Sequence, residues 1–280
     1  MVQIISDSST LYSVAEAKAI GLISCPLNVV INNKVYREFE DIDSKTFIDL
    51  VRAGNIPTTS QPSIGEKLSL YEAVSRDEEI IDISMADGLS GTYQTALGAK
   101  NMVEHNKRIH VLNAKTLCAP HRYIVNEALK LAKDGLSAEE IINKLEIAIN
   151  DGGSFLIPMD FNFLKRGGRI NAVAATIGSL IKIVPLMILS DDGKVILKHS
   201  IQKTIKKASD KIVEYLNDKG VNDDYFVAIS HADNLDLALK MKAKLEEALK
   251  TEVQIYDLSP AFIAQGGPEC VAVQWCHKIK

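Results

Sequence analysis

Several short clusters in this 280-residue sequence carry polar groups close enough together to do chemistry. They are Asp7-Ser8-Ser9-Thr10, Thr58-Thr59-Ser60-Gln61, Asp87 to Thr92 around Ser90, and Lys165-Arg166-Gly167-Gly168-Arg169. One reading is nucleophilic catalysis by Ser90, as a serine hydrolase or acyltransferase, with His231 as base and Asp233 or Asp160 orienting it. The strained elbow that exposes such a serine has the pattern G-x-S-x-G. Gly88-Leu89-Ser90-Gly91-Thr92 has its first glycine at the right distance but Gly91 one place early and Thr92 where the last glycine belongs. Phosphate-cradling patterns, G-x-x-x-x-G-K-[ST] and G-x-G-x-x-G, are absent. Histidines 105, 110, 121, 199, 231 and 277 form no H-x-x-x-H or H-E-x-x-H pair, so neither a metal nor a cofactor is expected. What remains is hydroxyls, an amide and one or two arginines, a set better suited to holding an anion than to reacting with it.

The elements around these clusters must present them. Ile80–Met85 reads as a buried strand, Asp87 and Gly88 break it, and a helix is expected from Thr92 to Val103 with Ser90 at its N-cap. A helix N-terminus holds an anion with backbone N–H groups, although a serine there equally caps its own helix. Asp7-Ser8-Ser9 follows the strand Val2–Ile5, at the carboxyl end where open α/β sheets bind ligands. Pro57 and Pro62 bracket Thr58 to Gln61 and stiffen that loop. Gly167 and Gly168 let the backbone approach a ligand while Arg169 points at it, or simply turn the chain into a helix of small residues at Ala172–Leu180. Asn32-Asn33 is a hairpin turn, and Ser190 to Gly193 another. Strands alternating with helices predict a mostly parallel sheet in the first half. The second half reads as α+β with antiparallel pairs, and the boundary is placed at Gly152-Gly153, giving units 1–152 and 153–280.

Composition narrows the partners. Hydrophobic residues make up 46% and charged residues 24% of the chain, and the formal net charge is −4, without the basic excess of a nucleic-acid binder. The most apolar stretch, Leu180–Leu189, contains Lys182 and Pro185 and is half the length of a membrane span. The N-terminus has no basic region or apolar core of a secretory signal. Cysteines 25, 118, 270 and 276 lack metal or redox spacing and read as reduced thiols. A cytoplasmic protein without stable membrane insertion is expected.

The ordered set Asp7-Ser8-Ser9, Thr59-Ser60-Gln61-Pro62-Ser63, Gly88-Leu89-Ser90-Gly91-Thr92-Tyr93, Leu164 to Arg169 and Gly266-Gly267-Pro268 resembles the DegV family of bacterial fatty-acid-binding proteins. The resemblance spans essentially the whole chain. It implies two α/β domains with one long-chain fatty acid between them and no chemistry performed by the protein itself. It implies that Thr59 and Ser90 hold the carboxylate, with Ser8, Ser60, Gln61, Arg169, Lys203 and Gln265 nearby or facing a partner. That partner would be a fatty acid kinase making acyl phosphate for phospholipid synthesis. The sequence departs from kinase-linked relatives at Gln265, where they often carry histidine, and at Gln202 and Lys203, where they tend to carry arginine. The small residues Ala172, Ala174, Ala175, Gly178 and Ser179 would leave room for a tail beside their helix, or for close helix packing.

Overall fold

The computed structural model describes residues 1–171 and 183–280, so the expected small-residue helix at Ala172–Leu180 lies outside the described residues. The first half runs β1 (Val2–Asp7), α1 (Val14–Ala19), β2 (Ile23–Cys25), β3 (Asn28–Ile31), β4 (Lys34–Arg37), α2 (Ser44–Arg52), β5 (Thr58–Ser60), α3 (Ile64–Ala73), β6 (Glu79–Ser84), α4 (Thr92–Met102), β7 (Ile109–Asn113), α5 (Cys118–Lys133) and α6 (Ala138–Asn150). The second runs β8 (Gly152–Ile157), α7 (Phe161–Gly167), β9 (Val184–Leu189), β10 (Ile196–Gln202), α8 (Ile205–Asp218), β11 (Tyr225–His231), α9 (Leu235–Leu249), β12 (Val253–Asp257), α10 (Pro260–Gly266) and β13 (Val271–His277).

The fold is mixed α/β. A parallel sheet has the order β2-β1-β6-β7, as the strand–helix alternation predicts. A mixed six-stranded sheet has the order β10-β9-β8-β13-β11-β12, and a small antiparallel sheet has the order β4-β3-β5. Asn32 and Asn33 take φ of 50° and 64° and close the β3–β4 hairpin, the conformation asparagine tolerates. Ser63 with Glu66, and Ser137 with Glu140, form capping boxes that start α3 and α6.

Four segments take a form that the sequence pattern does not spell out. Thr58 to Ser60 is not a free loop: it pairs antiparallel with β3, Thr59 opposite Val29. Gly152-Gly153 starts β8, where a Cβ at Gly153 would lie 2.4 Å from the Trp275 ring. Lys165 and Arg166 belong to α7, and Gly168 ends that helix at φ 71°, so the glycine pair is a helix terminus. The segment around Phe262 forms α10, which Pro260 opens.

Helix α5 joins the two larger sheets. Its Ile124 and Val125 share one apolar cluster with Ile4 and Ile81 of the parallel sheet and Phe226 and Ala228 of β11. Tyr123 stacks on Phe226 at a centroid distance of 4.9 Å. A second cluster combines Val29, Phe47 and Leu89 from the first half with Leu189, Leu258 and Ile263 from the second. Apolar burial therefore runs continuously across residue 152, which holds the two halves in register around the space between them.

Candidate functional site

Ser90 lies on the turn after β6, where the N–H groups of Leu89 and Ser90 both bond the Ala86 carbonyl, at 3.1 and 3.3 Å. The N-cap of α4 is Gly91, so Ser90 stands one residue earlier than expected. Its hydroxyl accepts from Thr92 N at 3.3 Å and shares a hydrogen bond with Thr92 Oγ1 at 2.8 Å. The second half of the chain grips this turn. A Cβ at Gly88 would lie 2.2 Å from Lys194 Cα, so only glycine admits that approach. Lys194 Nζ also pairs with Asp87, and Arg169 Nε donates to the Leu89 carbonyl at 3.2 Å.

Thr59 reaches the same place from β5. In the register of the small sheet it stands opposite Val29, which is fully buried, so its side chain takes the core-facing side. Gln265 Nε2 donates to Thr59 Oγ1 at 3.2 Å. Among the described residues, Gln265 Oε1 is buried with no partner. A Cβ at Gly167 would fall 1.9 Å from that oxygen, so Gly167 makes room for the Gln265 amide.

Thr59, Ser60, Gln61, Ser90, Arg169 and Gln265 line one cavity, of about 960 Å³ including its open mouth. At the polar end Ser60 and Gln61 are exposed and the other four half-buried. The remaining wall is mostly apolar, with Leu27, Met85, Leu117, Leu156, Ile188 and Leu258 drawn from both halves. Cys118 and Cys270 also line it; burial pushes the Cys118 thiol well up and that of Cys270 to about 12, so both stay protonated.

Two expected residues lie elsewhere. Ser8 is fully buried away from the cavity, accepting from Leu27 N at 2.8 Å and donating to Glu38. Glu38 in turn accepts from Ala261 N at 2.9 Å, so Ser8 braces two wall residues, Leu27 and Ala261, rather than facing a partner. Lys203 follows β10, exposed and off the lining.

The candidate base for Ser90 is also elsewhere. His231 Nδ1 is 3.6 Å from Asp257, Asp233 pairs with Arg52, Asp160 caps α7, and none of the three borders the cavity. A second serine–histidine–aspartate set does exist at the ends of β1 and α5. His121 bonds Ser9 and Ser6, with Asp7 4.0 Å away, and all four residues are fully buried. Asp7 there accepts from Met85 N at 2.9 Å and ties the ends of β1 and β6 together. Burial holds His121 below its ordinary value, and with no surface exposed the set works as a strap. Among the described residues no group of three or more His, Cys, Asp or Glu could hold a metal ion, and no helix is long and apolar enough to cross a membrane.

The family model of DegV, described as "Uncharacterised protein, DegV family", matches residues 1–278. The chain belongs to the DegV family. Protein DegV of Bacillus subtilis is 33% identical over 261 residues, covering 90% of this chain and 91% of the relative. Among solved structures, DegV described as a fatty acid binding protein from Bacillus subtilis superposes with a TM-score of 0.85 at 29% identity, covering 99% of both chains. A fatty acid binding DegV family protein from Streptococcus agalactiae superposes with a TM-score of 0.86 at 25% identity, covering 99% of both. Residues 172–182 apart, the apolar walls that sequence reasoning missed come from β8, β9 and β13. On β8 and β13 alternate side chains face the cavity and the opposite core, a division that the uniformly apolar run Phe155-Leu156-Ile157 does not display in sequence.

Proposed function

We propose that this DegV-family chain binds one long-chain fatty acid, such as palmitate, between residues 1–152 and 153–280. The hydroxyls of Thr59 and Ser90 hold the carboxylate and the apolar wall buries the tail. The observation that carries this reading is that those two hydroxyls line the polar end of one mostly apolar cavity. Burying about 14 methylenes at roughly 0.8 kcal/mol each supplies on the order of 11 kcal/mol. Neutral hydrogen bonds add only about 0.5–1.5 kcal/mol each, and association takes back roughly 4–15 kcal/mol. The tail therefore provides affinity and the head group orientation, which suits a site that, among the described residues, offers hydroxyls and no lysine. Among the described residues no base is bonded to Ser90, whose hydroxyl partners Thr92, which favours carriage over hydrolysis.

The partner reading is presentation of the acid, in the cytoplasm, to a fatty acid kinase that forms acyl phosphate for phospholipid synthesis. It is supported by the position of the polar end, where exposed Ser60 and Gln61 leave the carboxylate within reach of another protein. Native mass spectrometry of protein purified from a bacterial host tests ligand binding, followed by titration of the delipidated chain with palmitate and oleate. Co-purified acid and binding weakened in Ser90→Ala are expected. A lipid-free protein indifferent to both acids overturns the reading. Acyl phosphate formation with a bacterial fatty acid kinase, reduced in Arg169→Glu, tests the partner.

A further inference from the structure

Strands β8 and β13 form part of the cavity wall, paired antiparallel with Ser154 opposite Gln274 and Leu156 opposite Ala272. These four side chains share the face that lines the cavity, while Phe155, Ile157, Val273 and Trp275 point into the core on the other side. Leu156 is the member nearest the polar end: a Cβ at Gly266, the residue after Gln265, would lie 3.7 Å from its Cδ1. Ser154 sits two residues before it on β8, roughly 6.6 Å away along the strand and on the side away from α7. The apolar tail region therefore ends on a polar pair.

The two partners are not equally occupied. Gln274 is almost fully buried; its Oε1 accepts from Ser230 Oγ at 3.0 Å and Ala119 N at 3.4 Å, and its Nε2 donates to the Leu117 carbonyl at 3.0 Å. These bonds fix the orientation of the amide and leave one N–H of Nε2 for another acceptor. Ser154 is 8% exposed, and among the described residues its hydroxyl has no hydrogen-bond partner. An unpaired hydroxyl against a purely hydrocarbon tail loses its hydrogen bonds to water and gains none. A structural serine in this sheet would instead be expected to find a neighbour, as Ser230 does with Gln274.

We propose that the deep end of the cavity reads an oxygen substituent on the acyl chain, so that the preferred ligand is a long-chain acid hydroxylated in its distal part. This rests on the fatty-acid reading above and narrows it. A ligand hydroxyl accepts from the free Gln274 N–H and donates to Ser154 Oγ, so both members of the pair gain a partner. Selectivity arises because a plain tail leaves Ser154 unpaired while an oxygenated tail does not.

Calorimetric titration of the delipidated full chain tests this with two matched pairs: palmitate against 16-hydroxypalmitate, and stearate against 12-hydroxystearate. The readout is the ratio of the two Kd values within each pair, in the native chain, in Ser154→Ala and in Leu156→Ala. In at least one pair the preference for the hydroxylated acid is expected to fall about 2- to 12-fold in Ser154→Ala, with the plain acid bound as tightly as before or tighter. Leu156→Ala, on the same face with no hydroxyl to lose, weakens both acids and leaves the ratio unchanged. Ser154→Cys, which keeps the volume but donates poorly, shifts the ratio in the same direction and serves if the alanine variant folds badly. A ratio identical in the native chain and the Ser154 variants for both pairs overturns the proposal while leaving fatty-acid binding intact. Failure of the native chain to bind any of the four acids overturns both.

Discussion

Gln265 Nε2 donates to Thr59 Oγ1 across 206 positions of sequence, at 3.2 Å. A hydroxyl that accepts from an amide has its own proton free to donate, so Gln265 aims the Thr59 O–H toward the cavity and a bound carboxylate. Thr59→Val is expected to weaken palmitate binding about 2- to 12-fold. Gln265→Leu weakens it less, because the hydroxyl survives but is no longer aimed. In a double-mutant cycle read by calorimetry the two losses are less than additive, since once Thr59 is gone Gln265 has nothing to orient. Strict additivity would show that the contact has no part in binding.

Outside the cavity, a buried charge pair lies under the parallel sheet. Lys67 Nζ donates to both oxygens of Asp82, at 2.9 and 2.7 Å, and Tyr71 OH donates to Asp82 Oδ2 at 2.6 Å. All three side chains are fully buried. Burial alone would lower the Lys67 pKa, and the facing Asp82 carboxylate together with Cys25 and Asp7 more than reverses that, so the lysine stays charged. Lys67→Met leaves the Asp82 charge buried with only the Tyr71 and Ser84 hydroxyls as donors and is expected to cost about 3–5 kcal/mol in urea denaturation. Lys67→Met combined with Asp82→Asn should cost less than the sum of the single changes, because neither leaves the other's charge stranded.

Sequence pattern carried the elements further than the site. The hairpin turns at Asn32-Asn33 and at Ser190 to Gly193 join β3 to β4 and β9 to β10 as the sequence implies, and the capping boxes at Ser63 and Ser137 start their helices where their glutamates require. The clusters around Thr59, Ser90, Arg169 and Gln265 do meet at one cavity. What the sequence could not convey was the purpose of individual glycines. Gly88 looks like a turn residue but is there because Lys194 backbone from a distant hairpin presses on it. Gly153 looks like a linker but admits the Trp275 ring, and Gly167 looks like a ligand loop but admits the Gln265 amide. Each is a long-range contact that no local pattern encodes. Ser8 shows the reverse: its type suited a binding loop, and the buried Glu38 beside it, unremarkable in sequence, claims its hydroxyl.

Glu38 gives the chain a pH dependence with a definite sign. Burial pushes its carboxyl from 4.5 up to about 7, against the opposing pull of hydrogen bonds from Ser8 and Ala261 N, each of which favours the charged form. Below about 4.5 both the folded and unfolded chains hold this proton. As the pH rises from 4.5 to 7 the unfolded chain releases it first, so this group's contribution to stability falls across that window. His121 acts oppositely: burial holds its imidazole below 6.5, so stability from that group is present above 6.5 and lost as the pH falls. Comparing the native chain with Glu38→Gln separates the two slopes, because His121 is common to both. Glutamine can turn its Oε1 to Ala261 N and its Nε2 to Ser8 Oγ, keeping both contacts without the charge. Urea denaturation at steps from pH 4.5 to 8 is expected to show the variant gaining on the native chain by on the order of 2–3 kcal/mol between pH 4.5 and 7, then running parallel to it. A difference constant over that range would mean Glu38 titrates normally and that Ser8 and Ala261 N hold a carboxylate at every pH.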